Sequence, residues 1–154
     1  MSGGAPRHYA ADEIVAPELI ALKALYDDLK APDGLLAYDA LPPVETLPGV
    51  SDLALVEALA DGRYRYRAMG NGYRHTAGAA LKTAGDGTTA ENRPVVLQHF
   101  DLAVTERRPV HVSVTRWDGP KILQFDRLVL PLTDGQGEIG HLLVGEVFLR
   151  LAKG

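Results

Sequence analysis

The stretch that decides the fold is residues 109–149. It contains three long runs, PVHVSVTRW (109–117), KILQFDRLVLPLT (121–133) and EIGHLLVGEVFL (138–149). Asp118-Gly119 separates the first two runs, and Asp134-Gly135 separates the last two. Asp-Gly between such runs is a strong hairpin signal, because both residues tolerate the positive φ of a tight turn. The stretch therefore predicts a three-stranded antiparallel meander.

Two further strands are predicted earlier in the chain. Residues 53–60 lead into Asp61-Gly62, and RYRYRAM (63–69) follows with a period of two. That alternation is typical of a strand, so the pair is interpreted as a hairpin. Five antiparallel strands with helices inserted between the second and the third predict an α+β fold.

Two helices are predicted outside the strands. The first covers residues 17–30, where Pro17 suits the first helical position. The second begins near Arg93 and ends at about Glu106, and short irregular helices are expected in 73–90. Residues 1–11 are expected to be disordered, and 12–154 to form a single domain.

The composition limits the class of protein. The chain has 154 residues, 46% hydrophobic and 23% charged, with a formal net charge of −4. An acidic balance argues against general nucleic-acid binding. The absence of cysteine excludes disulfides, thiolate metal sites and a cysteine nucleophile. The N-terminus lacks a secretory signal and no stretch is apolar enough to span a bilayer, so a cytoplasmic protein is expected.

Residues 20–149 resemble the Per-Arnt-Sim (PAS) fold, and most closely a family of short bacterial single-domain PAS proteins. The segments that carry the resemblance are LYDDL (25–29), YRYRAMG (64–70), GAALKTAG (78–85), RPV (108–110) and LPL (130–132). Their order along the chain matters more than any one of them. The family often has a Trp in the first helix, where this chain has Tyr26.

The resemblance implies a five-stranded antiparallel sheet in the order 2-1-5-4-3, with helices inserted between strands 2 and 3. It also implies a sensor or adaptor that binds a small molecule, a protein partner or both, often as a homodimer. No output domain is recognised in the chain, so a signal is expected to pass through a partner protein.

Both faces of the last two strands are apolar. On the fifth strand one face carries Leu142, Val144 and Phe148, and the other carries Ile139, Leu143, Val147 and Leu149. Since an antiparallel sheet with one wet face alternates more cleanly, both faces are expected to be covered. The inserted helices cover one. A stripe on the first helix is expected to cover the other, within one chain or across a dimer, and consists of Leu22, Leu25, Tyr26 and Leu29.

Four residues are candidates for orienting a ligand between the helices and the sheet. They are Tyr66, His99, Gln124 and Glu146. Glu146 interrupts an apolar face of the predicted central strand, so it needs a partner. Arg65 or Arg67 on a nearby strand is the expected one, and structural pairing is favoured over catalysis.

The histidines carry no metal-binding pattern. His75, His111 and His141 are not spaced at i, i+2 or i, i+4 with another ligand, so no metal site is predicted. The resemblance suggests His99 as a haem ligand. No supporting motif accompanies this residue, and an ordinary hydrogen bond is favoured. Flavin-cysteinyl photochemistry needs a cysteine and is excluded. The cofactor, if any, stays unknown.

Two other classes of function stay open. One is a small isomerase or dehydratase on a curved sheet, with Glu146 or Asp126 as the base. The other is a purely structural dimerisation module. The chain is expected not to be an enzyme, because no nucleophile elbow or phosphate-binding loop is present.

Overall fold

A computed structural model describes residues 7–8, 16–48, 53–69, 83–84, 95–118 and 121–153. The strands are β1 (Arg7–His8), β2 (Leu36–Ala37), β3 (Leu53–Ala58), β4 (Tyr64–Met69), β5 (Thr83–Ala84), β6 (Val110–Asp118), β7 (Lys121–Thr133) and β8 (Ile139–Lys153). The helices are α1 (Pro17–Leu29) and α2 (Val95–Glu106), and short 3-10 turns cover Tyr38–Ala40 and Val44–Thr46. Within this part of the chain, neither α-helix has the length and apolar character needed to cross a bilayer.

One sheet joins all eight strands, and its main path runs β1-β6-β7-β8-β3-β4-β5. The five long strands thus lie in the order β4-β3-β8-β7-β6, and every pairing among them is antiparallel. In chain order these are the second, first, fifth, fourth and third of the predicted strands. The short strands β1, β2 and β5 were not predicted. Two residues are too few to show a period, so β1 lies in the segment expected to be disordered and β5 in the segment expected to be helical.

The turns agree only in part with the Asp-Gly pattern. Gly62 has a φ of +86°, as the β3–β4 hairpin requires. In the β7–β8 turn the prediction was wrong about the residue, because the positive φ, +83°, falls on Gly137 and not on Gly135. The backbone N–H of Asp134 donates to the carbonyl of Glu138 at 2.7 Å, which closes a longer loop than Asp134-Gly135 alone would form. The turn at residues 119–120 lies outside the described residues.

The sheet separates two apolar clusters. The inner cluster lies under α2, and its buried members include Leu97, Phe100 and Ala103 of the helix, with Val129, Leu142 and Val144 of the sheet. α2 ends at Glu106, and the next residue, Arg107, has a φ of 55°, the left-handed conformation that often terminates a helix. Arg107 Nη2 then donates to the carbonyl of Gly137 at 2.8 Å, so the end of α2 is fixed to the β7–β8 turn.

The outer cluster lies under α1, on the opposite face of the sheet. Leu19, Leu22 and Tyr26 are buried there, together with residues of the sheet that include Leu128, Leu130 and Leu143. The helix approaches closely at Gly145, where an added Cβ would lie 2.6 Å from Cδ2 of Leu19. An alanine at this position of β8 would therefore force the Leu19 side chain to shift.

Tyr26, near the C-terminal end of α1, attaches the helix to the edge of β7. Its hydroxyl donates to the carbonyl of Pro131 at 2.8 Å and accepts from the backbone N–H of Leu36 at 3.3 Å. Strand β2 pairs in parallel with β7 at Leu36↔Leu132, beyond the point where β6 begins at Val110↔Val129. The short strand therefore covers an edge that would otherwise be unpaired.

A one-residue shift of register at the start of β8 corrects the predicted faces. Thr133 pairs with Ile139, but Leu132 pairs with His141. Because one extra residue reverses the alternation, Ile139 joins the inner cluster, whereas the sequence placed it on the face of Leu143.

Candidate functional site

The candidate site is a buried polar group on the inner face, formed by His99, Arg127 and Glu146. Arg127 Nε donates to Glu146 Oε2 at 2.8 Å, and Arg127 Nη1 lies 2.9 Å from His99 Nδ1. The side chains of Arg127 and Glu146 are 8% and 13% exposed, and His99 is 2% exposed. We call these three residues the inner polar group. It joins α2 to the two central strands.

The register of β7 and β8 brings the two charges together. Arg127 and Glu146 are directly opposite each other, and both lie on the face of Val129 and Val144. The prediction that Arg65 or Arg67 pairs with Glu146 was wrong. Their Nη1 atoms lie 3.5 Å and 3.7 Å from Glu57 Oε1. Tyr64 is buried in the inner cluster, so its neighbour Arg65 points to the other face.

The contact with Arg127 fixes the protonation of His99. A guanidinium has donors and no acceptor, so His99 Nδ1 must accept from Arg127 Nη1. A neutral imidazole that accepts at Nδ1 carries its proton at Nε2. The group therefore holds one cation, one carboxylate and one neutral imidazole, and a doubly protonated His99 would break the contact.

A second polar contact connects α2 to β4, toward the other edge of the sheet. Tyr64 on β4 donates its hydroxyl hydrogen to Asp101 Oδ1 at 2.5 Å, and its ring meets Phe100 edge-on at 5.1 Å. Tyr66, a predicted ligand-binding residue, is partly buried against the same inner cluster. Both tyrosines thus lie on the α2 side of the sheet.

The four predicted ligand-binding residues have different positions. His99 and Glu146 meet through Arg127, which was not among the predicted ligand-binding residues. Gln124 is on β7, opposite Thr115 and Arg150. Its side chain lies outside the described residues. Tyr66 is on the same face as the polar group but on β4, which β3 and β8 separate from β7.

A second buried polar pair lies on the opposite, outer face. His111 Nε2 is 3.4 Å from Asp126 Oδ2, and the two side chains are 0% and 1% exposed. Ser113, opposite Asp126 in the register, is 7% exposed. Sequence reasoning missed this pairing, because His111 and Asp126 are diagonal neighbours on adjacent strands and show no spacing along the chain.

The predicted lid residues lie beside an apolar crevice. Leu22 and Tyr26 are buried, Leu25 is partly buried, and Leu29 is 39% exposed. The crevice is shallow and partly open to solvent, and it lies between the last turns of α1 and the segment that contains Leu36 and Leu41. Among the described residues, no group of three His, Asp or Glu side chains is placed to hold a metal ion.

Comparison with known proteins identifies no matching family model and no matching curated protein. One solved structure that matches is the blue-light photoreceptor Aureochrome1 LOV in its light state, at 17% sequence identity. The alignment covers 65% of this chain and 82% of that chain, with a TM-score of 0.45. At this identity and score the likeness carries no argument about function.

Proposed function

We propose that this chain is a PAS-type sensor module that binds a small molecule on the inner face of its sheet and passes the signal to a protein partner. The inner polar group of His99, Arg127 and Glu146 is the observation that carries the proposal. Ligand pockets are mostly apolar with a few convergent polar groups, and this group is surrounded by the inner apolar cluster.

The energetics of burial support a role beyond packing. Desolvating an ion pair costs about as much as, or more than, its attraction returns, and apolar residues of similar volume often give equal stability. The pair Arg127–Glu146 is nevertheless nearly buried, with an imidazole bonded to it. A group of polar side chains held on the inner face could orient a polar ligand by exchanging one of these contacts for a contact with the ligand.

The connections of α2 suggest how binding would be transmitted. The helix is attached to β7 and β8 through His99, to β4 through Asp101 and to the β7–β8 turn through Arg107. A ligand that exchanged one of these contacts for its own would change the free energy that holds α2 in place. Such a shift of α2 is the proposed signal to the partner.

The same contacts favour a sensor over an enzyme. Glu146 Oε2 accepts from Arg127 at 2.8 Å, so a base at this position would first have to lose that bond. Asp126, the other candidate base, is buried against His111 on the outer face. Either carboxylate would have to give up its present contact before it could act as a base.

Native mass spectrometry of protein purified from its own host tests the proposal. The expected result is a non-covalent adduct of small-molecule mass that disappears under denaturing conditions. A bare protein in native spectra, whether monomer or dimer, would overturn small-molecule sensing and favour the structural dimerisation module.

A further inference from the structure

Tyr38 and His141 form a stacked aromatic pair that is not part of the inner polar group. Their ring centroids are 3.9 Å apart, and the ring planes differ by 13°. Tyr38 opens the 3-10 turn Tyr38–Ala40, whereas His141 is near the start of β8. The stack therefore joins the segment after α1 to the central strand of the sheet.

The imidazole of His141 has an environment that opposes a positive charge. Its Nδ1 is buried and has no hydrogen-bond partner among the described residues. Burial lowers the pKa of His141 below its ordinary value, and Arg67 adds to that effect. The carboxylates of Glu57, opposite on β3, and of Asp134, in the preceding turn, act in the other direction without cancelling it.

Protonation would place a charged N–H donor at this buried atom. A buried donor without an acceptor is costly, and more so when it is charged. Attraction between protonated His141 and both the Tyr38 ring and the Glu57 carboxylate offsets part of this cost. The stacked form consequently favours the neutral imidazole.

We propose that the Tyr38–His141 stack is a proton-sensitive clasp, which holds residues 38–41 against β8 at neutral pH and releases them on acidification. Leu41 links the clasp to the apolar crevice, because its backbone N–H donates to the Tyr38 carbonyl at 3.1 Å and its side chain lines the crevice. Release of residues 38–41 would move the Leu41 side chain away from the crevice. Acid would then open the crevice beside Leu25 and Leu29 on the outer face.

The direction of the pH effect follows from the histidine. Neutral His141 stabilises the closed form, in which residues 38–41 lie against β8. This stabilisation is complete above the ordinary histidine pKa of about 6.5. It is lost as the pH falls from that value through the lower pKa of His141 in the closed form. Each pH unit in this window changes the closed-to-open ratio by at most about tenfold. The inference is independent of ligand binding on the inner face.

Amide hydrogen exchange of Leu41 tests the clasp, with protection factors corrected for intrinsic exchange. Between about pH 7.5 and about pH 5.5, we expect protection in the native protein to fall by about threefold to tenfold. His141→Phe keeps a ring for Tyr38 but cannot titrate, so its protection should not change over this range. Equal pH dependence in both proteins, or none in the native protein, would overturn the proposal.

A second measurement applies even if the variant does not fold. NMR titration of the His141 ring in the native protein should give a pKa below that of an unfolded histidine, and Leu41 protection should decline over the same pH range. A ring that titrates at or above the ordinary value would contradict the clasp.

Discussion

Arg127 and Glu146 face each other across β7 and β8, with Nε and Oε2 2.8 Å apart, on the side of the sheet that α2 covers. The pair exists because the register shifts by one residue at the start of β8. Without that shift, Arg127 would lie opposite Gly145 and Glu146 would point to the other face. A local irregularity more than five residues away thus decides the chemistry of the inner face.

The first prediction concerns the stability of this pair. Glu146→Leu leaves the buried charge of Arg127 uncompensated and should lower the free energy of unfolding by about 3–5 kcal/mol. The double variant Arg127→Met/Glu146→Leu removes both charges and should be clearly more stable than the single variant. Urea unfolding measures both. A double variant as unstable as the sum of the two single variants would show that the charges are not coupled.

The second prediction concerns the approach of α1 to β8. Gly145→Ala places a methyl group against Leu19 and should destabilise the fold by about 1–3 kcal/mol through overpacking. Gly140→Ala on the same strand is the control, since its Cβ would meet Asp134 Cβ at an ordinary 3.6 Å. In a Leu19→Ala background the added cost of Gly145→Ala should largely vanish. If Gly145→Ala cost the same with and without the Leu19 side chain, the strain would not arise from their contact.

The third prediction separates the two glycines of the β7–β8 turn. Gly137→Ala forces an alanine into a φ of +83° and should cost about 1–2 kcal/mol. Gly135→Ala meets no atom within 4 Å and needs no left-handed backbone, so it should be close to neutral. Thermal unfolding of the two variants checks this. Equal costs, or a larger one at Gly135, would mean that the turn follows the Asp-Gly pattern after all.

The fourth prediction uses the tyrosine that anchors α1. Burial raises the pKa of Tyr26 from 10.0 to about 12. The folded state thus favours the neutral phenol, and the stability it contributes is present below pH 10 and is lost as the pH rises through about 12.

Tyr26→Phe removes the bonds to Pro131 and Leu36 and should cost about 1–2 kcal/mol at neutral pH. It should also lose less stability than the native protein on going to high pH. Urea unfolding at a series of alkaline pH values compares the two. Parallel pH profiles would show that the Tyr26 hydroxyl is not buried as described.

The sequence predicts the strands well where they are long. Period-two alternation and the Asp-Gly positions locate β3, β4 and β6 to β8 within a few residues, because each strand has at least six residues over which a pattern can be read. Of the residues predicted for the lid on α1, Leu22 and Tyr26 are buried in the outer cluster. Leu19 was missed although it lies one turn before Leu22 on the same stripe.

The candidate site was harder to predict because it depends on pairing between strands. His99 and Glu146 were identified as polar residues in apolar surroundings, but the residue that joins them, Arg127, follows only from the register of β7 and β8. The pair His111–Asp126 has the same origin. Residue patterns along one strand give the face of a side chain, and they give no information about its cross-strand neighbour once a bulge intervenes.

The most direct test of small-molecule sensing compares two double variants with the native protein, all purified from the native host and examined by native mass spectrometry. Arg127→Met/Glu146→Leu removes the charges of the inner polar group. The same substitutions at Arg65 and Glu57 remove an exposed cross-strand pair on the outer face. A bound small molecule in the native protein and the outer-face variant, lost from the inner-face variant, is the predicted result. No bound molecule in the native protein, or equal occupancy in all three proteins, would contradict it.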